Sequence, residues 1–273
     1  TTSSNGGSSS GGSSGGGSSN NNSSNISNIV VTTPDSSIKI TTSSVGNQIV
    51  KDAEATVAKD EHVQVIGGKN CAISISAKEN GNTVTSFDDP VKVTIPVSSS
   101  AFNEVTDSSK LTLAKATKDE TGQTVFTYMG GNYDANSKTF TAYVDEPGDY
   151  ILIEDSDIQK IELQIGSSNS THNGSAIAND VAPIIYNNRT MVPLRFLAET
   201  LGAQVDWNEA ARTVTLLIDG VQMSMTIDKA IEGFDTAPII HQERTMVPIR
   251  YIAEQLNANV IYAPDTQKII VVK

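Results

Sequence analysis

The stretch RTMVPLRFLAE, Arg189 to Glu199, returns 55 residues later as RTMVPIRYIAE, Arg244 to Glu254, with eight of the eleven positions identical and the other three exchanged like for like. The match extends without a gap from Ala182–Leu217 to Ala237–Val272. Each copy opens on APII, which proline holds extended, and continues through a polar turn, Tyr186-Asn187-Asn188 or His241-Gln242-Glu243. The arginine-bearing block follows, and Pro193 and Pro248 are expected in the first helical turn, where a missing N–H costs nothing. Leu194, Leu197, Ala198 and Leu201, and in the second copy Ile249, Ile252, Ala253 and Leu256, form one apolar stripe at helical spacing. Gly202 and Asn257 stop the two helices, as the residue types that best accept the left-handed conformation. Strands follow, AQVDW then TVTLLI and ANVIY then KIIVV, with Trp207 and Tyr262 at equivalent positions. Each repeat therefore reads as an extended lead-in, a helix and a β-hairpin, too small to bury a core alone, so that two share one.

Outward from the repeat, KIELQIG and ARTVTLLIDGVQMSMTI read as strands, the latter as a hairpin through Asp219-Gly220. Residues 35–157 alternate apolar and polar at period two in SIKITT, HVQVIG, CAISISA, PVKVTIPV, KLTLAKA, TVFTYM, KTFTAYV and DYILIED, with turn signals at 79–82, 119–122, 130–138 and 145–149. That pattern predicts an antiparallel β-sandwich, and no stretch in it carries a convincing helical period. Residues 1–34 are almost wholly Ser, Gly, Asn and Thr and predict a flexible linker. The fold class expected is thus a β-rich two-domain chain: linker 1–34, antiparallel sandwich 35–157, and an α+β domain 158–273 of two βα-hairpin repeats, 182–217 and 237–272.

Composition narrows function. Nineteen Lys and Arg against 31 Asp and Glu leave a net charge of −12 on 273 residues, unsuited to nucleic acid or to passive adhesion on anionic lipid. All five arginines (Arg189, Arg195, Arg212, Arg244 and Arg250) lie in the last third. Cys71 alternates within CAISISA and is expected as a small buried hydrophobe. No apolar run reaches the roughly 18 residues of a membrane span. A chain that begins within a linker, without Met, is expected to be part of a larger protein.

The segment PIIYNNRTMVPLRFLAETLGAQVDW and its second copy resemble the small stalk domain first named from the N-terminus of copper amine oxidases, widespread as a repeat in secreted and surface proteins of Gram-positive bacteria. The resemblance covers about 158–273. It implies an α+β fold with strands and one helix per repeat, and display or attachment of a larger polypeptide at the cell envelope. The Ser/Asn-rich lead-in at 166–180 departs from it. More weakly, 35–157 is similar to the β-sandwich modules of bacterial surface proteins, which close with a Gly, one residue, a Tyr and an apolar strand, matched by Gly148, Asp149, Tyr150 and Ile151. Tyr150 is expected as a core aromatic.

Oxidase chemistry belongs to another domain of that family, with three histidine ligands for copper. Here His62, His172 and His241 stand in three unrelated contexts, so neither metal nor cofactor is expected. No nucleophile elbow, zinc helix or phosphate loop is present. Acidic pairs such as Asp88-Asp89 and Asp155/Asp157 read as solvated loops; DDP and DEPGD lack the spacing of a full calcium loop. Arg195 and Glu199, like Arg250 and Glu254, are four apart on a helix face. Arg189 and Arg244 are expected to bind backbone carbonyls of the PII segments. The alternative is a groove in which Arg195, Arg250, Trp207 and Tyr262 meet an anionic or sugar polymer, since aromatic platforms and planar donors suit both. The expected function is a non-catalytic extracellular module attaching or spacing a surface protein at the cell wall through a wall polymer or carbohydrate, without nucleic acid or membrane insertion. The alternative is a structural subunit of an extracellular, oligomeric assembly.

Overall fold

The computed structural model describes residues 28–218 and 220–273. Most of the linker expected over 1–34 lies outside them, but its last part does not: Ile29 and Val31 carry enough apolar surface to pack on the core, and Val30–Thr32 pair as strand β1. Next come β2 (Ile38–Ser43), α1 (Asn47–Val57), β3 (Val63–Val65), β4 (Ala72–Glu79), β5 (Asn82–Thr83), β6 (Val91–Pro96), α2 (Ser99–Phe102), β7 (Leu111–Lys118), β8 (Thr124–Tyr128), β9 (Asn132–Asp134), β10 (Thr139–Val144) and β11 (Gly148–Asp155). They form two antiparallel sheets, β1-β6-β10-β9 and β2-β4-β11-β7-β8, with β3 and β5 added beside β11 and β4. In β6 the period of two is strict: Val91, Val93 and Ile95 are buried and Lys92, Thr94 and Pro96 are not. Ile73, Ile75, Leu113, Phe140 and Leu152 complete the layer between the sheets. Tyr150 is fully buried there, and its hydroxyl donates to the Glu146 carbonyl at 2.6 Å, closing the corner where the chain passes from one sheet to the other.

One expectation fails in this region. Residues 47–57 form an eleven-residue helix where only strands were expected; its apolar positions Val50, Ala53 and Val57 are spaced i, i+3 and i+7, a short stripe that the sequence reading passed over. Of α1 only Val50, Ala53 and Val57 are buried, and Val50 and Ala53, with half-buried Ile49 beside them, pack with Val45, Ala72, Ala114, Ile151 and Ile153 on the outer face of the second sheet. β11 is therefore buried on both faces, which is why YILI is a continuous apolar run. The helix contributes a narrow stripe built on one alanine, and its Val and Thr content favours strand, so tertiary packing decides its state. Cys71, at 1% exposure, is a core residue, its thiol pushed up to about 11 chiefly by burial.

The last third comprises β12 (Lys160–Gln164), β13 (Ser167–His172), β14 (Ser175–Ala178), β15 (Ile184–Tyr186), β16 (Arg189–Pro193), α3 (Leu194–Thr200), β17 (Gln204–Asn208), β18 (Thr213–Ile218), β19 (Val221–Thr226), β20 (Ile239–His241), β21 (Arg244–Pro248), α4 (Ile249–Gln255), β22 (Asn259–Ala263) and β23 (Lys268–Val272). Three antiparallel sheets result, β14-β13-β12-β23-β22, β15-β16-β21-β20 and β17-β18-β19. The Ser/Asn-rich lead-in is the hairpin β13–β14. β18 and β19 pair with Ile218 opposite Val221, the intervening Asp219 lying outside the described residues.

Two features of the repeat differ from the sequence reading. The block RTMVP is a strand, so the lead-in of each copy is itself a hairpin. Its turn places Asn187 and Asn188, or Gln242 and Glu243, at positive φ, as a two-residue hairpin turn demands. Pro193 and Pro248 end those strands in extended conformation as the residues just before the helices, not within the first turn. Both helices do stop through a left-handed residue, Gly202 at φ +89° and Asn257 at φ +52°.

The copies meet face to face. β16 crosses β21 with Val192 opposite Val247, Met191 opposite Pro248 and Pro193 opposite Met246. Every pair sums to the same number, and Val192 and Val247 are repeat equivalents, so a local pseudo-two-fold axis passes between them. Val192, Leu194 and Leu197 share one core with Val247, Ile249 and Ile252. The first strand of the unit, β12, pairs with the last, β23, and closes it.

The axis does not extend to the outer faces. In β17–β18 the outward residues are Asp206, Asn208, Thr215 and Leu217; their equivalents in β22–β23 are Ile261, Ala263, Ile270 and Val272, and these belong to the core of the sandwich together with Ile158. The β22–β23 sheet is thus apolar on both faces, its other face offering Ile269 and Val271 to the repeat core. Polar contacts rim the seam: Lys92 with Asp265 at 2.9 Å, and Asn259 Nδ2 donating to the Tyr128 carbonyl at 3.0 Å.

Candidate functional site

Arg189 and Arg244 do not bind the PII carbonyls. Arg189 donates from Nε and Nη2 to both carboxylate oxygens of Asp235, at 2.9 and 2.6 Å, and Arg244 donates from Nε to Asp180 at 2.8 Å. Asp180 and Asp235 are themselves 55 residues apart. Each copy therefore holds the aspartate that begins the other's lead-in, a reciprocal pair of staples across the axis. The Arg189 guanidinium and its hydrogen bond hold the Asp235 carboxyl below its ordinary range. The signal was present in the sequence, two residues upstream of the aligned block, but its partner assignment needs the fold. Both pairs are solvent-exposed, so they set registration more than stability. Reversing one charge with Arg189→Asp is expected to lower the thermal midpoint, more at low salt than high. Adding Asp235→Arg is expected to restore it, and a double variant no better than the single would refute the pairing.

Beside the first copy lies a groove of about 1190 Å³. α3 supplies Arg195, Phe196 and Glu199; β17 supplies Val205 and Trp207, and the β17–β18 turn Arg212; β14 supplies Ile177 and Ala178; and the β20–β21 turn and the start of β21 supply Glu243 and Arg244. The β17 alternation turns Val205 and Trp207 toward the repeat core and Asp206 and Asn208 outward. Trp207 Nε1 donates to Glu209 Oε2 at 2.6 Å, which fixes the indole plane. Arg195 Nε stands 3.9 Å from Glu199 Oε1, both side chains more than half exposed, and Arg212 pairs with Asp228 at 2.9 Å. His172 also lines the groove; burial, helped by the Lys110 charge, lowers its imidazole below the ordinary range and so favours its neutral form.

Of the residues expected to share a site, Trp207 and Arg195 do, and Pro193, Glu199 and Arg244 line the same groove. Tyr262 and Arg250 do not join them. Tyr262 packs against the repeat core from β22, and Arg250 is exposed on α4 with no ion pair to Glu254 within 4 Å. The two aromatics are equivalent by repeat, and the pseudo-two-fold carries equivalents to opposite sides. Phe196 was not singled out as a site residue; it lies on α3 outside the apolar stripe Leu194, Leu197, Ala198 and Leu201, and that position was the signal available. Among the described residues no three His, Cys, Asp or Glu side chains gather as a metal set. His62 lies beside Ser156 and Asp157, and His172 beside Gln159, so these histidines do not make the three-ligand set that copper would need.

A family model, that of the copper amine oxidase N-terminal domain, matches residues 122–216 and 226–273, more than half of the chain. The chain belongs to the copper amine oxidase N-terminal domain family. The domain is non-catalytic in those oxidases. The match starts at residue 122, within the sandwich, so it takes in β8 to β11 as well as both repeats. No curated protein and no solved structure matches the chain at a significant level.

Proposed function

We propose that the chain is a non-catalytic extracellular module that attaches or spaces a larger surface polypeptide at a bacterial envelope. The sandwich, 35–157, and the repeat domain, 158–273, are its two parts, and the groove beside α3 is where it meets a wall polymer. One observation carries the reading: Ile261, Ala263, Ile270 and Val272 of the second repeat are buried in the sandwich core. Fully burying a side chain of Val or Ile size contributes roughly 1.5–3 kcal/mol, so the two parts move as one stiff arm. Stiffness suits a spacer, whereas a catalytic pair of domains commonly needs a hinge between them.

The test is retention of the full chain on purified Gram-positive cell-wall sacculi, with an unrelated β-sandwich protein of similar negative charge as control. Sedimentation with the sacculi above that control is expected, and equal sedimentation overturns the reading.

A further inference from the structure

We infer that the groove beside α3 is a binding site for an uncharged polysaccharide, with sugar rings lying on Trp207 and Phe196. The assignment rests on the attachment reading for where such a glycan is met. Three observations point to it.

The first is a comparison within the molecule. In the second repeat the aromatic of the helix, Tyr251, is met edge-on by Phe234 at 5.0 Å between ring centroids. The equivalent aromatic in the first repeat is Phe196, and the residue equivalent to Phe234 is Asn179. Asn179 turns its amide to Ser170 at 3.3 Å, and Phe196, half-buried against the repeat core as Tyr251 is, turns its remaining surface to the open groove. One half of a pseudo-symmetric unit has its aromatic covered from within the chain; the other half leaves it to whatever enters.

The second is charge. Arg195, Arg212 and Arg244 face four carboxylates, Asp180, Glu199, Glu209 and Glu243, in the same lining. Arg244 and Arg212 are already paired, with Asp180 and Asp228. A polyanion would meet no surplus of positive charge and would have to break those pairs, within a chain of net charge −12. What the lining does offer is planar donors and carboxylate acceptors around an aromatic floor, the complement of hydroxyl groups and C–H faces on a sugar.

The third is shape. The groove is larger than the roughly 300–1,000 Å³ of a small-molecule pocket, and it is formed at the surface between α3, β14, the β17–β18 hairpin and the β20–β21 hairpin, which suits a run of linked rings.

Trp207 is the only tryptophan in the chain, so its emission reports the site directly. The full chain is titrated with hydroxyethyl cellulose, laminarin, neutral arabinoxylan and chitin oligosaccharides, and with polygalacturonate as the charged counterpart. A saturable change in emission is expected with at least one neutral glycan and none with polygalacturonate. Arg195→Ala, which removes an exposed side chain, is expected to weaken it severalfold. Trp207→Ala, read by mobility in native gels containing the same glycan, is expected to weaken retardation about tenfold or more. Because that ring also packs on the core, Trp207→Phe serves as the folded variant and is expected to retain part of the binding. No response to any neutral glycan, a stronger response to polygalacturonate, or wild-type retardation of Trp207→Ala would each overturn the assignment. Retention on sacculi without any glycan response sinks the groove and spares attachment; a glycan response without retention does the reverse.

Discussion

Gly131→Ala is expected to lower the stability of the chain by about 4 kcal/mol, the sum of backbone strain and overpacking at one position. Gly131 adopts φ +116°, and a Cβ there would stand 2.5 Å from Phe140 Cζ and 2.6 Å from the Thr141 carbonyl oxygen. Neither can retreat: Phe140 is fully buried between the sheets, and the carbonyl belongs to β10. Its neighbour Gly130, at φ +68°, is held for a different reason, since a Cβ would meet Ile270 and Val272 of the second repeat at 2.8 and 2.9 Å. The Gly-Gly pair that reads in the sequence as a turn is the spot where the sandwich backbone is closely approached by β23. A domain holds about 5–15 kcal/mol in all, so the variant should unfold at a clearly lower urea concentration. A loss below about 1 kcal/mol would show that the backbone can adopt another path.

The second large effect concerns Lys160 and pH. This lysine, 4% exposed, lies under the same corner and donates from Nζ to the carbonyls of Leu111 at 2.6 Å and Gly131 at 2.9 Å. Among the described residues no carboxylate pairs with it directly, and burial pushes its ammonium down to about 8, against partial support from Glu162 and Asp107. The unfolded chain, with an ordinary lysine near 10.5, then binds more protons than the folded one between pH 8 and 10.5. A group depressed in this direction costs stability in full below pH 8 and releases that cost as pH rises through the window. Lys160→Met abolishes the effect. Stability of the wild type minus that of Lys160→Met should therefore increase by about 2 kcal/mol from pH 7.5 to 10. Tyr128, Tyr143 and Tyr150, raised chiefly by burial, act oppositely at high pH but are common to both proteins and cancel in the difference. A difference that stays flat would mean the ammonium is solvated in the folded state.

Much of the architecture was legible because its determinants are local. Periods of two marked the strands, two copies of one apolar stripe marked α3 and α4, and Gly202 and Asn257 marked their ends. The docking of the second copy was not read from the sequence: Ile261, Ala263, Ile270 and Val272 stand where the first copy has Asp206, Asn208, Thr215 and Leu217, but what covers them only the fold shows. α1 was not legible either, because the stripe it lays on an existing sheet is short, Val50 and Ala53 with Ile49 beside them, and stands among segments that alternate at period two. The candidate site was half legible. Trp207 and Arg195 were named; that Phe196 completes their groove, and that Tyr262 and Arg250 are not in it, follows from the axis.

By itself, then, the sequence determined the repeat, most of the strands, the helices α3 and α4 with their stops, and the acidic character of the chain. The tertiary structure alone decided which partners those residues take. Arg189 reaches Asp235 over 46 residues and Arg244 reaches Asp180 over 64, and nothing in local propensity distinguishes those carboxylates from the other 29 acids of the chain. The physical reason is that the two copies bury a shared core only by crossing at Val192 and Val247. That crossing joins each copy to the other's lead-in, sends one outer face into the sandwich, and leaves the groove open on one side only.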